Sequence, residues 1–325
     1  MKTKAIRFYK TGGPEVLTFE DIDVPEVQTG EVLIRYHAIG VNFIDNYYRS
    51  GLYSTELPSG LGFEGAGVVE AVGEGVTHLK AGDRVAHPKG PLGAYAQMRT
   101  IPAWHVVKIP DAISFEEAAG MMLKGLTVQY LFRQTYDLKA GQTILFHAAA
   151  GGVGLIACQW ARHLGVKLIG TVSSKEKAEI AKAHGAWETI NYTNEDVVKR
   201  VLELTNGAKV PVVYDGVGKD TWETSLDCLS SRGLMVSFGN ASGPVTGVNL
   251  GVLGNKGSLY VTRPMLWSHV DTPEKLQASS NELFDLVVRQ KIQIDISKTY
   301  PLADAARAHQ DLQSRKTTGG LILIP

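Results

Sequence analysis

The chain has 325 residues, 44% of them hydrophobic, which is enough for two domains with substantial cores. Lysine plus arginine equals aspartate plus glutamate at 33 each, so no net field draws it to nucleic acid or an anionic membrane. Two cysteines, Cys158 and Cys228, exclude a disulfide framework and a multi-cysteine metal site, and no His-Glu-x-x-His or Cys-x-x-Cys spacing suggests zinc.

The opening residues, from Met1 to Arg7, carry positive charge with no apolar run behind them, so no signal peptide is expected and the cytoplasm is the expected compartment. Up to about Trp104 the sequence alternates short strand-like runs (32–36, 67–72, 83–86) with glycine and proline turns, the pattern of an antiparallel β domain. From about Ser114 helix and strand alternate. Strands are expected near Ile144, Leu168, Thr189, Val212, Leu234 and Leu259, which indicates a doubly wound parallel sheet. After Pro273 the pattern predicts a helix over 274–289, a short strand near Thr299, a helix over 303–314 and a last strand over 321–324. The division expected is therefore 1–124, rejoined by 294–325, and 125–293. The run 143–161 is the most apolar, but His147, Gln159 and its glycines make it a buried strand and helix rather than a membrane span.

Within that run, Thr143-Ile144-Leu145-Phe146 leads through His147, Ala148, Ala149 and Ala150 into Gly151, Gly152, Val153 and Gly154. A strand that turns through small residues into a helix lets backbone approach a pyrophosphate and sets helix N–H groups against the anion. Apolar positions Ile156, Ala157, Trp160, Ala161 and Leu164 recur at helical spacing, Gly165 stops the helix, and 166–172 is a second strand, which is the context this fingerprint needs. Roughly twenty residues past the glycines, where an NAD site carries an acid, stand Ser173 and Ser174, with Lys175 and Lys177 close by. Hydroxyls and lysines accept a 2′-phosphate that an acid would repel, so NADPH is expected over NADH; Ser174 also suits a helix N-cap.

Together GEVLIR at 30–35, GFEGAGVV at 62–69, VGEGV at 72–76 and GDRV at 82–85 resemble the medium-chain dehydrogenase/reductase superfamily. NFID at 42–45, AAAGGVG at 148–154, DGVG at 215–218 and YVTRP at 260–264 are similar to its zinc-free quinone oxidoreductase branch, which includes zeta-crystallin. The resemblance implies a GroES-like antiparallel β catalytic domain joined to a Rossmann domain. Where zinc-dependent relatives place a Cys ligand and a His-Glu pair, this chain has Asn42 and Phe63-Glu64, and the loop of structural zinc cysteines is missing between Pro88 and Ala94. Without a Lewis acid the acceptor should take hydride readily, as a quinone does. By the same resemblance Asn42, Tyr47, Tyr53 and Arg263 position and polarise the substrate. Asp45 matches a position near the cleft, or serves only as a turn acid. Gly151, Gly152, Val153 and Gly154 take the pyrophosphate, Ser173, Ser174 and Lys177 the 2′-phosphate, and Tyr192, Phe238, Gly239 and Asn240 line the rest of the cofactor site. The segment 257–261 should be an edge strand that pairs with its copy in a homodimer. Two other readings remain: an NADPH-dependent enone or alkenal reductase, and an NADPH-binding sensor or crystallin-like or nucleic-acid-binding protein with little turnover.

Overall fold

The computed structural model describes residues 1–325. The chain divides into two compact units, one of Met1–Leu126, Val270–Gln290 and Ile294–Pro325, the other of Thr127–His269 and Lys291–Gln293. In chain order the elements of the first stretch are β1 (Lys2–Phe8), β2 (Thr18–Asp23), β3 (Glu31–Val41), α1 (Phe43–Ser50), β4 (Ser59–Gly60), β5 (Gly65–Val72), β6 (Arg84–His87), β7 (Met98–Pro102), β8 (Val107–Lys108) and α2 (Phe115–Tyr130). Then come β9 (Thr143–Phe146), α3 (Gly152–His163), β10 (Lys167–Val172), α4 (Lys175–Ala183), β11 (Glu188–Asn191), α5 (Val197–Leu204) and β12 (Val210–Asp215). They are followed by α6 (Trp222–Asp227), β13 (Leu229–Ser237), α7 (Gly251–Asn255), β14 (Tyr260–Thr262) and α8 (Leu266–His269). Last are α9 (Pro273–Val288), β15 (Ile296–Pro301), α10 (Ala305–Gln313) and β16 (Gly320–Ile324).

The first unit holds a three-stranded sheet in the order β2-β1-β4 and a seven-stranded sheet in the order β15-β16-β3-β5-β6-β8, with β7 also on β3. Strand β3 shows why: Ile34, Tyr36 and Ala38 are buried while Arg35 and His37 between them are exposed, the period of two that a half-buried strand requires. Its inward side chains join Ile6, Phe8, Leu61, Tyr95 and Leu323 in one apolar core. In the tail, β15 and β16 pair parallel to each other and only β16 runs antiparallel to β3.

Helix α9 falls in the first unit, unlike the division expected at 293. It starts on Thr272, whose hydroxyl accepts the Lys275 amide at 3.3 Å, with Pro273 at the first helical position. Its buried face carries Leu276, Leu283, Phe284 and Leu286 beside Ser279 and Ser280, and such a face can pack against either kind of sheet, so periodicity alone does not assign it.

The second unit is a six-stranded, wholly parallel sheet in the order β11-β10-β9-β12-β13-β14. The chain enters at β9, runs outward to β11 and then crosses to β12, so the strand order reverses between β9 and β12, where such sheets open a ligand crevice at their carboxyl ends. Leu145, Ile169, Ile190, Val213 and Met235 form the core beneath it. The edge strand starts later than 257, because Gly257 and Ser258 have φ of 112° and 58° and turn the chain before pairing begins at Tyr260. Residues 291–293 return to this unit through Gln159: its Nε2 donates to the Gln293 carbonyl at 2.9 Å and its Oε1 accepts the Gln293 amide at 2.8 Å. Both cysteines are buried and unpaired. No helix is long and apolar enough to cross a membrane.

Candidate active site

In the first unit, β3 delivers Asn42 to the N-cap of α1, where its backbone N–H donates to Asp45 Oδ2 at 2.8 Å and half-closes a capping box. The Asn42 side chain is fixed from the other side. Its Nδ2 donates to Glu64 Oε2 at 2.7 Å, and Glu64 is fully buried between this amide and α2. Glu64 Oε1 accepts the Leu123 amide at 2.7 Å, and the ammonium of buried Lys124 lies 3.3 Å from Oε2. Each partner thus compensates the burial of another, and Asn42 is held by a charged anchor rather than by packing alone. Only glycine fits at position 40, since a Cβ there would lie 2.2 Å from Glu64 Oε2 and 2.3 Å from the Ala119 carbonyl.

Aromatic rings surround α1. Tyr47 and Tyr53 meet edge to face at 5.2 Å, Tyr48 lies 5.5 Å from Tyr53 and 5.3 Å from Phe63, and the Tyr53 amide donates to the Tyr47 carbonyl at 3.0 Å. The structure therefore brings Asn42, Tyr47 and Tyr53 onto one short helix and its following turn. Phe63, at a position where zinc-dependent relatives carry a ligand, is part of this aromatic wall.

Asp45 turns inward and is more than a turn acid. Its Oδ2 also accepts the Tyr95 hydroxyl at 2.9 Å, and that hydroxyl lies 3.1 Å from His309 Nε2 on α10. Burial pushes the Asp45 carboxyl up to about 7, against the Asn42 and Tyr95 hydrogen bonds, and pushes His309 down to about 3. Between the ordinary carboxylate range and about 7 the folded state holds a proton that the unfolded state has lost, so Asp45 costs stability as pH rises through that window. Asp45→Asn keeps an acceptor oxygen without the charge. The variant is expected to be more stable than wild type at about pH 8, by at most a few kcal/mol, with the gap closing near pH 4. Denaturant titrations at both pH values check this, and a gap independent of pH would refute it.

In the second unit the residues expected to bind cofactor gather at the carboxyl ends of neighbouring strands. After β9, the turn reaches Gly151, the N-cap of α3, and Gly154 sits so close to it that a Cβ would lie 2.4 Å and 2.5 Å from the Ala148 and Ala149 carbonyls. After β10, Ser173 precedes Ser174, whose hydroxyl accepts the Lys177 amide at 3.2 Å as the N-cap of α4. Tyr192 stands beside them, half exposed, with its amide donating to the Val172 carbonyl at 3.1 Å. Beyond β12, Asp215 Oδ1 accepts the Val217 and Gly218 amides at 2.7 and 3.0 Å and shapes that turn. Beyond β13, the Phe238 ring lies 5.7 Å from Phe146, and a Cβ added at Gly239 would lie 2.3 Å from the Gly216 carbonyl oxygen. Arg263 belongs to this unit too: its Nη1 donates to the Ser237 and Gly239 carbonyls at 2.7 and 3.3 Å and so fastens the loop that leads to Asn240.

Sequence reading missed Glu64 and Lys124 as supports of Asn42, and Tyr95 and His309 as supports of Asp45. Their partners lie far apart in the chain, and only the oddity of charged residues in apolar runs marks them. No three His, Cys, Asp or Glu side chains gather as a metal-binding group. His87 is taken up by the Tyr36 hydroxyl at 2.6 Å and the Lys89 carbonyl at 3.1 Å.

Comparison with known proteins places this architecture. Residues 28–111 match the family described as alcohol dehydrogenase GroES-like domain, and residues 152–279 match zinc-binding dehydrogenase. A quinone oxidoreductase of Pseudomonas aeruginosa is 64% identical over 99% of this chain and 99% of its own length. The crystal structure of a Pseudomonas syringae quinone oxidoreductase superposes with a TM-score of 0.98 at 61% identity, covering 99% of this chain and 100% of that one. The Escherichia coli quinone oxidoreductase, solved in complex with NADPH, gives a TM-score of 0.98 at 57% identity with the same coverage. Sequence identity and backbone superposition extend along the whole length: the chain belongs to the quinone oxidoreductases of the medium-chain dehydrogenase/reductase superfamily.

Proposed function

We propose that this protein is a cytoplasmic, zinc-independent NADPH:quinone oxidoreductase that works as a homodimer. The cofactor fits the chain's own chemistry. The turn at 148–154 has no room for a side chain at Gly154, and a turn of small residues at the start of α3 lets backbone approach a pyrophosphate closely. Gly151, Gly152, Val153 and Gly154 would hold that group, Ser173, Ser174 and Lys177 the 2′-phosphate, and Tyr192, Phe238, Gly239 and Asn240 the remaining faces. When bound, NADPH supplies hydride from its nicotinamide ring.

The observation that carries the zinc-free reading is the donor set around Asn42. Glu64, the acid in the segment that binds zinc in relatives, is taken up by the Asn42 and Leu123 hydrogen bonds and by Lys124. Asn42 gives one N–H to Glu64 and keeps the other for a substrate oxygen, while the Tyr47 and Tyr53 rings offer stacking faces and hydroxyls. Negative charge that grows on a quinone oxygen during reduction is thus met by hydrogen-bond donors rather than a metal. By the family resemblance Arg263 would be a further donor to the substrate. The exposed edge of β14, with Tyr260 and Val261 outward, supports twofold pairing, since an open apolar edge invites association. Reduced, buried Cys158 and Cys228 suit a reducing compartment.

The test is steady-state NADPH oxidation with 1,4-benzoquinone, a naphthoquinone and an α,β-unsaturated ketone, before and after metal chelation. Quinone turnover that survives chelation is expected. Faster turnover of the ketone than of either quinone would assign the enone-reductase activity instead, and tight NADPH binding without oxidation would assign a sensor.

A further inference from the structure

The cradle contains a non-glycine residue in the left-handed region: Ala148 has φ of 57°. That conformation costs about 1 kcal/mol or more for an L-residue and persists only where the surroundings enforce it. Four buried side chains beneath it form a connected series. Asp215 Oδ2 accepts the hydroxyls of Ser225 at 2.8 Å and Thr221 at 2.7 Å, while its Oδ1 accepts the Val217 and Gly218 amides. Ser225 Oγ lies 2.9 Å from His147 Nε2, His147 Nδ1 lies 3.0 Å from Thr171 Oγ1, and Thr171 Oγ1 accepts the Ala148 amide at 3.3 Å. Asp215, Ser225, Thr171 and His147 are all at least nine-tenths buried.

The donors can be placed one after another. The carboxylate is saturated by donors, so Ser225 gives its proton to Asp215 and can only accept from His147, which must therefore carry its proton on Nε2. Nδ1 is then an acceptor, Thr171 gives its hydroxyl proton to it, and the Thr171 oxygen is left to receive the Ala148 amide. Burial lowers the His147 pKa, which disfavours a second proton on the ring. The arrangement is not a nucleophilic triad. Ser225 is fully buried and bonded to the acid, and the imidazole bridges two hydroxyls instead of linking serine to carboxylate.

We infer that this one-way hydrogen-bond chain, Ala148 to Thr171 to His147 to Ser225 to Asp215, sets the shape of the phosphate cradle, with His147 fixed as the Nε2–H tautomer. Thr171, His147 and Ser225 are positioning residues. They act through Ala148, and the Ala149 amide on the Thr171 carbonyl at 3.0 Å ties the same turn a second time. At its far end the chain reaches Asp215, which builds the turn after β12, so two neighbouring loops of the crevice are set by one network. The inference rests on the cofactor reading above and adds to it how the binding turn is held.

Thr171→Val keeps the shape and removes the hydroxyl, while Thr171→Ser keeps the hydroxyl. With the full-length protein, Thr171→Val is expected to raise the NADPH Kd and KM about tenfold, the effect of one lost hydrogen bond, with kcat at saturation and the quinone KM within about twofold. Thr171→Ser should stay near wild type. Wild type that binds NADPH alongside a Thr171→Val protein of equal affinity overturns this inference alone. Wild type that does not bind NADPH overturns the cofactor reading and this inference with it. Should Thr171→Val fail to fold, 15N-histidine spectra of wild type decide, with Ser225→Ala identifying the His147 signals: a proton on Nε2 is expected, and a proton on Nδ1 overturns the chain.

Discussion

Glu64→Ala is expected to lower stability by about 3–5 kcal/mol, because it strands the buried Lys124 ammonium and leaves the Leu123 and Asn42 donors without their acceptor. It should also lower kcat, since the Asn42 amide loses the bond that aims it. The two effects separate in a double-mutant cycle. In a Lys124→Met background the stranded charge is gone, so the stability cost of Glu64→Ala should shrink by about 1–3 kcal/mol while the loss of kcat stays. Denaturant unfolding and quinone-dependent NADPH oxidation measure the two. Additive stability costs would mean that Glu64 and Lys124 do not compensate each other, and an unchanged kcat would mean that Asn42 is not held for the reaction.

The second large effect concerns cofactor choice. Lys177→Glu is expected to weaken NADPH relative to NADH on the order of 100-fold, through replacement of an attractive charge by a repulsive one beside the 2′-phosphate. The substitution also separates the two roles of this segment. Ser174 caps α4 through the backbone amide of residue 177, which a glutamate leaves in place, so the helix should be undisturbed. Affinities for both nucleotides by fluorescence titration, with the melting temperature as control, give the answer. An unchanged preference would remove Lys177 from the 2′-phosphate site.

Much of the architecture is written locally. The apolar run ending at Phe146, the small-residue turn and the second strand to Val172 mark a parallel unit, because strand burial and glycine packing are properties of neighbouring residues. The supports of the site are not local. Glu64 finds Asn42, Leu123 and Lys124 only when β3, the turn before β5 and α2 come together, and no spacing in the sequence encodes that meeting. His147 reads as a polar interruption in an apolar run until Thr171 and Ser225 arrive from β10 and α6. The direction of β15 escaped the same way, since a short strand pattern fixes which residues face inward but not which way its neighbour runs.

The placement of β16 has a consequence for how the protein is made. Its residues pair with β3 at Leu321 with Val41, Ile322 with Gly40 and Leu323 with Ile39, the last steps of β3 before Asn42. These partners leave the ribosome roughly 280 residues apart, which at the usual rate of synthesis leaves that end of β3 with one bare edge for ten seconds or more. The parallel sheet, whose strands all lie between Thr143 and Thr262, is translated whole within that interval. Newborn chains therefore carry a finished nucleotide-binding half and an unfinished strand edge at the same time. The hazard of wrong pairing falls on residues 39–41, and the ability to turn over substrate arrives last.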